Sequence, residues 1–540
     1  MRSIRAALAA ETGLGAGNVL TTLVERDLDL DRPALTFDRE VDGVPAGTAV
    51  TVRRLDELVR ARAATLHARG IGMRDPVGVT ASSVGENVLT FLALARLGAI
   101  PALVNAGVSP EITARYLNRV GVVTVLADAA RRAALSSTEL STSALSGLTP
   151  VETLGTGDPA DAPEPYRFHG DDPVAITHSS GTTGVPKAVA HSHSSLFAAI
   201  RHRLRMPKAQ GIERVLSALP APHAATLIAL NLALCSGSEL FALSEQTGRS
   251  VVEAIERWRP SGVFGFAATW SEMARTDLRG RDLDSVALWW NTGDCAHEAH
   301  IRRLISHGHR TVFTREGRVR LPGSVFIDGL GSSEMGHSHF HNTHTTETDR
   351  YGRCIGRAHA FAEPIVVDAR GNELPHGEVG ELATKSPTLS LGYWNDSVST
   401  HRTRVRGYFL TGDAVYRDAE GYFYHVDRVV DSVDLGGGKR LHTAMSEERV
   451  LNACPDVADC TVVAVRTGTG VVTDVLVQLD AAADPALDRT AAVRAALGED
   501  VAATLREVVV VDDAQIPLGP TGKVRKVALR ERYLADLGAR

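Results

Sequence analysis

The sequence predicts an α/β protein with a large N-terminal domain of mostly parallel sheets flanked by helices, a β-rich subdomain, and a small α+β C-terminal domain. Two observations support this prediction. Helical and strand patterns alternate over most of the chain up to about residue 330, and the pattern then changes to short alternating segments broken by turns. The length of 540 residues also exceeds one ordinary compact core, so two or more domains are expected.

The first part of the chain alternates helix and strand in a regular order. Residues 55–70 carry apolar side chains at helical spacing and end on a glycine, which predicts a helix. The same reasoning predicts a strand at 75–82, a helix at 86–100, a strand and turn at 101–107, a helix at 110–121 and a strand at 122–128. The weakly patterned stretch 136–165 is expected to be a surface loop, and the alternation resumes at 172.

The second part of the chain is rich in hairpin signals. Residues 364–386 and 408–428 alternate around DARG and DAEG turns, and the insertion-like stretch 311–326 is a further candidate hairpin. The C-terminal part is expected to contain strands at 460–466 and 507–511 and helices at 445–453 and 488–497. The predicted boundaries are therefore 1–428 for the N-terminal domain, with its β-rich subdomain at about 350–428, and 429–540 for the C-terminal domain.

The composition argues against several classes of function. The formal net charge is −6 without a long basic run, and aromatics are 5%, so neither a nucleic acid nor a membrane is an expected partner. No run of 18 apolar residues occurs, and the N-terminus lacks the apolar core of a signal peptide, which favours a cytoplasmic protein. Five scattered cysteines without a CxxC pair predict neither a disulfide framework nor a zinc site.

The strongest functional signal is THSSGTTGVPKAVAHSH at 177–193, which follows a strand-like segment. Its glycines, hydroxyl side chains and lysine offer backbone N–H groups, further donors and a cation to a polyphosphate, although the pattern GxxxxGK[ST] is absent. The chain has only six lysines, and Lys187 and Lys523 both lie in glycine-rich segments, which makes them the first candidates for functional lysines. The loop residues expected at the nucleotide are Ser179, Ser180, Gly181, Thr182, Thr183, Gly184 and Lys187.

The segment SSGTTGVPKAV closely resembles the phosphate loop of the adenylate-forming superfamily of acyl- and aryl-CoA synthetases, nonribosomal-peptide adenylation domains and luciferases. Six further segments resemble that superfamily in matching order: LPAPHAA (219–225), NTGDCAH (291–297), LGSSEMG (330–336), YFLTGDAV (408–415), HVDRVVD (425–431) and PLGPTGKVRK (517–526). The resemblance covers essentially the whole chain, and the sequence is identified as a member of this superfamily.

The resemblance implies ATP and Mg²⁺ as cofactors and assigns one or more residues of each segment a role. His223 would flank the acid pocket, and Gly293, Asp294 and Ser333 would line the nucleotide and acid site. Glu334 with Thr183 would hold Mg²⁺, and Asp413 would bind the ribose hydroxyls. Arg428 would bind the nucleotide just before the interdomain hinge, and Lys523 would contact the α-phosphate and the acid. Lys523, Glu334 and His223 are the candidate catalytic residues.

The implied reaction has two steps. An acid oxygen attacks the α-phosphorus of ATP and pyrophosphate leaves, while Mg²⁺, the loop hydroxyls and Lys523 stabilise the developing charge. The adenylate then passes to a second nucleophile, which is CoA, a carrier protein or an amine. In the superfamily, the small C-terminal domain rotates about the hinge between the two steps.

The chain departs from the superfamily pattern in three places. Leu330 occupies the usual position of a tyrosine that stacks on adenine, and Val430 that of an Asp or Lys at the hinge. The segment 432–443 is slightly longer than the matching loop, which helps to form the pantetheine tunnel of CoA ligases. The domain rotation and CoA as the acceptor therefore stay open at this point.

Histidines and tryptophans are concentrated near the expected acid pocket. The four histidines that follow the Glu334 segment are His337, His339, His341 and His344, and WWN at 289–291 adds two large aromatics. Metal ligation, a polar or cationic lining for a small anionic substrate, and a solvated loop are the alternatives for the histidines. The pocket is expected to be small or polar, not a long fatty-acyl tunnel.

Several functions fit this pattern. The first is an acid–CoA or acid–carrier-protein ligase that acts on a small or aromatic acid. The second is an ATP-dependent diazotase that activates nitrite and delivers it to an aryl amine, which the doubtful CoA loop, the histidines and Val430 make reasonable. A catalytically inactive nucleotide-binding homologue and a luciferase-like oxygenase are the remaining alternatives, and the first of these is disfavoured by the intact Lys187, Glu334 and Lys523.

Overall fold

The computed structural model describes residues 4–141, 147–179, 185–207, 211–315, 317–468, 470–519 and 522–538. In these residues, two large sheets are flanked by helices, and a small α+β unit follows towards the C-terminus. The predicted α/β class is thereby confirmed. No helix of the described residues is both long and apolar enough to cross a membrane.

The described strands and helices are numbered here in chain order. The strands are β1 (Pro33–Phe37), β2 (Ala49–Thr51), β3 (Pro76–Thr80), β4 (Ile100–Leu103), β5 (Thr124–Ala127), β6 (Leu148–Pro150), β7 (Pro173–His178), β8 (Ala188–Ser192), β9 (Arg214–Ser217), β10 (Glu239–Ala242), β11 (Gly262–Phe266), β12 (Leu288–Thr292), β13 (His309–Thr314), β14 (Gly317–Pro322), β15 (Val325–Asp328), β16 (Phe340–His344), β17 (Cys354–Ala358), β18 (Glu363–Val367), β19 (Gly380–Lys385), β20 (Gly392–Tyr393), β21 (Arg404–Val405), β22 (Tyr408–Arg417), β23 (Phe423–Arg428), β24 (Val433–Gly436), β25 (Lys439–Leu441), β26 (Val457–Thr467), β27 (Gly470–Leu479) and β28 (Leu505–Val510). The α-helices are α1 (Ile4–Ala9), α2 (Val19–Glu25), α3 (Val52–Ala68), α4 (Val84–Leu97), α5 (Pro110–Val120), α6 (Ala129–Leu135), α7 (Ala198–Leu204), α8 (Ala224–Ser236), α9 (Gly248–Trp258), α10 (Ala267–Arg275), α11 (Glu298–Ile305), α12 (Ser397–Arg402), α13 (Thr443–Ala453), α14 (Thr490–Leu497), α15 (Glu499–Ala502) and α16 (Lys526–Gly538).

The helices predicted in the first part of the chain are present, and their ends follow from local chemistry. Helix α3 begins after Thr51, whose side chain accepts a hydrogen bond from the Arg54 N–H. Helix α4 begins after Ser83 in the same way and ends at Gly98, which has a left-handed conformation with φ of 72°. Because α4 is apolar around its circumference, almost all of it is buried in the main core.

One sheet carries the predicted phosphate loop. Its seven strands in the described residues follow the order β20-β8-β7-β4-β3-β5-β6, and β3 to β7 run parallel to their partners in the order β7-β4-β3-β5-β6. Strands β7 and β8 are antiparallel neighbours. The predicted loop is therefore the connection between these two strands, at one side of a parallel sheet.

A second sheet brings the other predicted segments together. Its fourteen described strands contain a parallel run, β15-β12-β11-β9-β10-β1, which continues into antiparallel strands through β16 and β17 to β18. Both hairpins predicted for 350–428 are present, as β18–β19 and β22–β23. The carboxyl ends of β11, β12 and β15 meet at one edge of the sheet, which is where α/β proteins usually bind ligands.

The structure contains elements that the sequence analysis did not predict, among them helix α16, strand β27 and short elements within 136–165. Strand β27 (Gly470–Leu479), the central strand of the C-terminal sheet, was not predicted, because the buried Thr473, Asp474 and Gln478 interrupt its apolar residues and leave neither an apolar run nor a clear alternation. The expected loop 136–165 contains β6 and two short 3₁₀ helices, Val151–Thr156 and Pro159–Asp161. Strand β6 forms by pairing with β5, a long-range contact with no local signature.

The insertion-like stretch forms the expected hairpin, β13–β14. Its two strands pair with each other and with no other described strand. Strand β14 is exposed along most of its length, so the hairpin extends from the surface of the molecule.

Candidate active site

Two hydrogen bonds connect the two ends of the predicted phosphate loop. The backbone N–H of Ser179 donates to the Lys187 carbonyl at 3.0 Å, and the backbone N–H of Lys187 donates to Ser179 Oγ at 3.0 Å. These two bonds close the base of the loop between β7 and β8. The predicted loop residues Ser180, Gly181, Thr182, Thr183 and Gly184 lie outside the described residues.

Lys187 and Glu334 lie on two sides of one tyrosine. The ammonium of Lys187 is 4.6 Å from the centre of the Tyr393 ring, and the Tyr393 hydroxyl donates to Glu334 Oε1 at 3.1 Å. Burial, and then the Glu334 carboxylate, raises the pKa of Tyr393, so the hydroxyl stays protonated and keeps donating. The structure thus connects the phosphate loop to the predicted magnesium ligand through a residue that the sequence analysis did not single out.

The donor set at Glu334 fits a magnesium ion held together with a nucleotide. No group of three or more His, Cys, Asp or Glu side chains in the described residues is arranged to hold a metal ion by itself. Glu334 Oε2 makes no hydrogen bond to a described residue, so one carboxylate oxygen is available. Mg²⁺ is usually bound by one or two carboxylates and substrate phosphates, which matches this single carboxylate beside the phosphate loop.

The segment that carries Glu334 is connected to the sheets by backbone and hydroxyl contacts. Ser333 Oγ donates to the His178 carbonyl at the end of β7, at 3.4 Å. The Gly331 N–H donates to the Gly293 carbonyl at 3.1 Å. Gly293 has a φ of 89°, and a Cβ there would come within 3.3 Å of the Phe266 ring. These contacts hold three of the predicted segments together at the edge of the large sheet.

The buried side chains of Asn291 and Asp328 stabilise the turn after β12. Asn291 Nδ2 donates to the Asp294 carbonyl and to Asp328 Oδ1, both at 2.6 Å, and Asn291 Oδ1 accepts from the Trp270 indole. Burial raises the pKa of Asp328 to about 6, against the opposing effect of its hydrogen bond with Asn291. The side chain of Asp294 is consequently presented at a defined position.

Asp294 lies close to a lysine, an arginine and a histidine that are distant from it in the chain. Its carboxylate lies 3.4 Å from Lys523 Nζ, 3.7 Å from Arg353 Nη2 and 4.0 Å from His425 Nδ1. Burial disfavours the charged form, but Lys523, and with it these neighbours, outweigh burial and hold the pKa of Asp294 well below its usual range. Two predicted site residues, Asp294 and Lys523, therefore form a contact across the N-terminal and C-terminal regions.

Asp413 and Arg428 form a second charged pair in the same site. They face each other in the β22–β23 ladder, with Arg428 Nε 3.3 Å from Asp413 Oδ1. His425 Nε2 lies 3.5 Å from the same oxygen. Asp413 foremost, and also Asp294 and Glu334, raise the pKa of Arg428. All three predicted carboxylates therefore lie close enough to the Arg428 guanidinium to interact with it electrostatically, so they surround a common region.

His223 occupies the edge of this region as a neutral residue. Its Nδ1 accepts the Ala225 N–H at 3.1 Å and caps helix α8, and its ring meets the Phe266 ring edge-on at 4.8 Å. Burial, and then the nearby His178 and Lys523, lowers the pKa of His223 to about 3. The proton of this neutral imidazole is consequently on Nε2. His223 is thus a hydrogen-bond donor near the site, and part of its role is structural.

The four histidines after Glu334 do not form one set. His339 is fully buried between Thr384 and Thr388, with hydrogen bonds of 2.7 and 2.8 Å. His344 stacks on Tyr351, and the exposed His341 stacks on His359. Only His337 faces Trp290, with ring centres 6.1 Å apart. These positions favour a polar and aromatic lining at His337 and structural positions for His339 and His344.

The predicted hinge is paired with the last helix. The Val430 carbonyl accepts from Arg530 Nη1 at 3.2 Å, and Asp431 pairs with Arg530 Nη2 at 2.8 Å. Leu330, at the usual position of an adenine-stacking tyrosine, is buried. The segment 432–443 contains the small β24–β25 hairpin.

Sequence reasoning missed Tyr393, Arg353 and His425. Each acts through contacts with residues distant in the chain, so no local motif contains it together with its partners. Tyr393 had the clearest available signal, since it lies in an aromatic pair, GYW, in the described segment that follows β19. Arg353 could be recognised only from the structure, where it is buried and donates to His425 Nδ1 at 2.7 Å.

Comparisons with known proteins agree with this geometry. Residues 26–394 match the family described as AMP-binding enzyme. The chain is 41% identical to a Streptomyces 3-aminoavenalumate diazotase, over 99% of both proteins, and 27% identical to a 3-amino-2-hydroxy-4-methoxybenzoate diazotase of Streptomyces cremeus, over 74% of this chain and 76% of that protein. The fold resembles that of an anthranilate CoA ligase in complex with anthranoyl-AMP, with a TM-score of 0.79 and 20% identity over 96% of this chain and 97% of the other. The chain belongs to the AMP-binding enzyme family of adenylate-forming ligases.

Proposed function

We propose that this enzyme is an ATP-dependent diazotase, which adenylates nitrite and transfers the nitroso group to an aryl amine. The observation that carries the proposal is the 41% identity, over 99% of both chains, to a protein named as a diazotase. The site supports it through an adenylation centre, formed by Lys187, Glu334 and Lys523, that lies beside a polar and aromatic lining at His337 and Trp290.

In the first step, a nitrite oxygen attacks the α-phosphorus of ATP, and the bond from that phosphorus to the pyrophosphate oxygen breaks. The products are the mixed anhydride of nitrous acid and AMP, and pyrophosphate. Lys187 and the hydroxyls of its loop bind the departing phosphates, and Lys523 stabilises the charge that develops on the α-phosphate. Glu334, with Thr183, would hold Mg²⁺, and the bound ion would neutralise phosphate charge. Asp413 accepts hydrogen bonds from the ribose hydroxyls.

In the second step, the lone pair of the aryl amine attacks the nitroso nitrogen. An N–N bond forms, the N–O bond to AMP breaks, and AMP leaves with that electron pair. Loss of a proton gives the N-nitroso amine. A proton shift, protonation of the resulting hydroxyl and loss of water then give the aryl diazonium ion. The reaction needs no external oxidant or reductant. The nitrite nitrogen accepts the electrons that the amine nitrogen gives up.

The C-terminal unit takes part in the first step through Lys523. The boundary that we propose lies between residues 428 and 429, where β23 ends and the Val430–Arg530 contact follows. Gly293, Asp294 and Ser333 line the space between the two units, and His223 offers its Nε2 proton to a nitrite or adenylate oxygen. Because ATP is a substrate, we propose that the enzyme works in the cytoplasm.

The competing assignment is an acid–CoA ligase that uses the same adenylation centre. ATP–pyrophosphate exchange separates the two, measured with nitrite and with a panel of benzoates, cinnamates and short-chain acids. Exchange that depends on nitrite, and product formation that depends on an aryl amine but not on CoA, is the expected result. Exchange with a carboxylic acid, followed by thioester formation with CoA, would replace the proposal with the ligase assignment.

A further inference from the structure

One arginine lies beside aromatic rings and forms no ion pair with any described residue. Arg203, in the last turn of α7, places its guanidinium 4.7 Å from the centre of the Trp290 ring. Burial, and then the like charge of Arg5, lowers the pKa of Arg203, and no carboxylate among the described residues offsets either effect. A guanidinium stacked on an indole keeps its in-plane N–H groups available to a bound anion.

Aromatic and imidazole rings lie close to the Arg203 guanidinium. We define the Arg203 cluster as Arg203, Trp290, His337, His359 and Phe361. Trp290 and His337 have ring centres 6.1 Å apart, His337 and Phe361 5.8 Å, and His359 stacks on Phe361 at 4.9 Å. Burial, reinforced for His337 by Arg203 and for His359 by the neighbouring His337, lowers the pKa of His337 to about 4 and that of His359 to about 2. At neutral pH the positive charge of this cluster therefore belongs to Arg203.

The cluster is adjacent to the adenylation centre along the sheet. Phe264 of β11 pairs in register with Trp290 of β12, and Phe266 pairs with Thr292. The two pairs are two residues apart on each strand, which corresponds to about 7 Å. The first pair belongs to the Arg203 end, and the second adjoins His223 and the turn that carries Asp294. A single aromatic ring with a substituent at each end spans this separation.

Several members of the cluster also keep accessible surface. Arg203, Trp290, His359 and Phe361 are each only partly buried, whereas His337 is buried. The partly buried Arg203 beside accessible aromatic rings is suited to bind a planar aromatic anion. A charge-assisted hydrogen bond from its guanidinium is stronger where water is partly excluded.

We infer that the aryl amine substrate carries a carboxylate, which Arg203 binds while the aromatic ring packs against Trp290 and Phe361. The amino group at the other end of the ring then faces the adenylate near His223 and Asp294. This inference rests on the proposed function and specifies its second substrate as an amino-aryl carboxylate. Arg203 is a specificity residue in this scheme and touches no reacting atom.

Binding without nitrite separates this inference from the proposed function. In calorimetric titrations of the full chain with ATP absent, 3- or 4-aminobenzoate is expected to bind about 10- to 100-fold more tightly than the matching aminobenzamide. In Arg203→Gln this preference should disappear, with the affinity for the amide changed little. Arg205→Gln, which alters an exposed arginine two residues further on, should keep the preference.

The same variants are then compared in turnover with nitrite and ATP. Arg203→Gln should raise the KM of the aminobenzoate by about 10- to 100-fold and leave that of the aminobenzamide nearly unchanged, whereas Arg203→Lys should restore part of the difference. Equal binding of acid and amide by the unaltered enzyme, or a preference that survives in Arg203→Gln, would overturn the inference. Absence of nitrite-dependent turnover, with the binding preference intact, would instead refute the diazotase proposal alone.

Discussion

Lys523 Nζ lies 3.4 Å from Asp294 Oδ2, and this contact joins the C-terminal unit to the turn after β12. Both side chains are about one third exposed, so the pair is accessible to a substrate. Because a partly exposed ion pair adds little stability by itself, we expect Asp294 to act by positioning the lysine at the proposed adenylation centre. A substrate oxygen or the α-phosphate can then take over one of the ammonium's donors.

Replacing Lys523 tests the centre of the reaction. Lys523→Ala should lower the rate of adenylation by about 10²- to 10³-fold, because a donor to the developing charge is lost, with ATP binding little changed. Pyrophosphate exchange and nucleotide titration measure the two effects. Lys439→Ala is the matched control, since Lys439 is an exposed lysine of the same C-terminal unit that pairs with Asp500. Normal exchange in Lys523→Ala would refute the assigned role.

The role of Asp294 is tested by removing its charge at constant size. Asp294→Asn should reduce kcat of pyrophosphate exchange by about 10-fold, because Lys523 loses its charged partner and the nearby Arg353 and Arg428 lose a counter-ion. The KM for ATP should change much less than kcat. Asp500→Asn removes the other described Lys–Asp pair and should leave both constants unaltered. If both Asp variants behave alike, Asp294 does not position the lysine.

Glu334 is tested through the dependence on magnesium. Glu334→Gln should raise the Mg²⁺ concentration needed for half-maximal exchange by at least about 10-fold, since a charged ligand becomes a neutral one. Tyr393→Phe keeps the carboxylate and removes only its hydrogen bond, so a smaller increase is expected. The activity is measured across a magnesium titration at fixed ATP. Unchanged magnesium dependence in Glu334→Gln would exclude this residue as the ligand.

Lys187 is expected to act on the pyrophosphate side. Lys187→Ala should raise the KM for ATP by about 10-fold, because the loop loses its cation, with a smaller effect on nitrite. Lys385→Ala is a close control, since Lys385 Nζ lies 3.9 Å from the Tyr408 ring centre, much as Lys187 lies over Tyr393. A similar KM in both variants would show that the contact with the tyrosine, and not the phosphates, is the main function of Lys187.

The buried histidines predict how stability depends on pH. Burial lowers the pKa of His191 to about 4 and that of His339 to about 3, from about 6.5 in the unfolded chain. The unfolded state therefore binds more protons between these values. The contribution of these histidines to the free energy of unfolding is expected to be fully present above pH 6.5. It should fall as the pH drops from 6.5 towards 4, by about 1 kcal/mol per pH unit for each such imidazole.

Thermal unfolding at a series of pH values checks this dependence. His339→Gln should be less stable than the unaltered protein near pH 7.5, because it disturbs the bonds to Thr384 and Thr388, but its stability should decline less steeply below pH 6.5. An equal or steeper decline in this variant would show that His339 is protonated in the folded state at mildly acidic pH.

The sequence predicted the general architecture because the informative signals were local. Loop glycines, hydroxyls and a lysine identified the phosphate loop, and DARG and DAEG turns identified two hairpins that the structure contains. Strand β27 was not predicted, because Thr473, Asp474 and Gln478 interrupt its apolar residues and leave no periodic pattern.

The candidate site was predictable only in part, for a different reason. The segments that carry Asp294, Glu334, Asp413 and Lys523 each have a recognisable motif, but the contacts between them arise from the two sheets. Tyr393 lies 59 residues from Glu334 in the chain, and Arg203 is remote from Trp290. Such pairs leave no pattern in a single sequence, so the hydrogen bond of Tyr393 and the position of Arg203 beside Trp290 could be found only in the structure.

Nitrite labelled with ¹⁵N provides the most direct test of the proposed reaction. The enzyme is incubated with labelled nitrite, ATP, Mg²⁺ and an aminobenzoate without CoA, and the product is captured by azo coupling and analysed by mass spectrometry. We expect a diazonium product with one ¹⁵N at its terminal nitrogen, and one AMP and one pyrophosphate for each product formed. Unlabelled product, or AMP formation that requires a carboxylic acid and CoA and ignores nitrite, would contradict it.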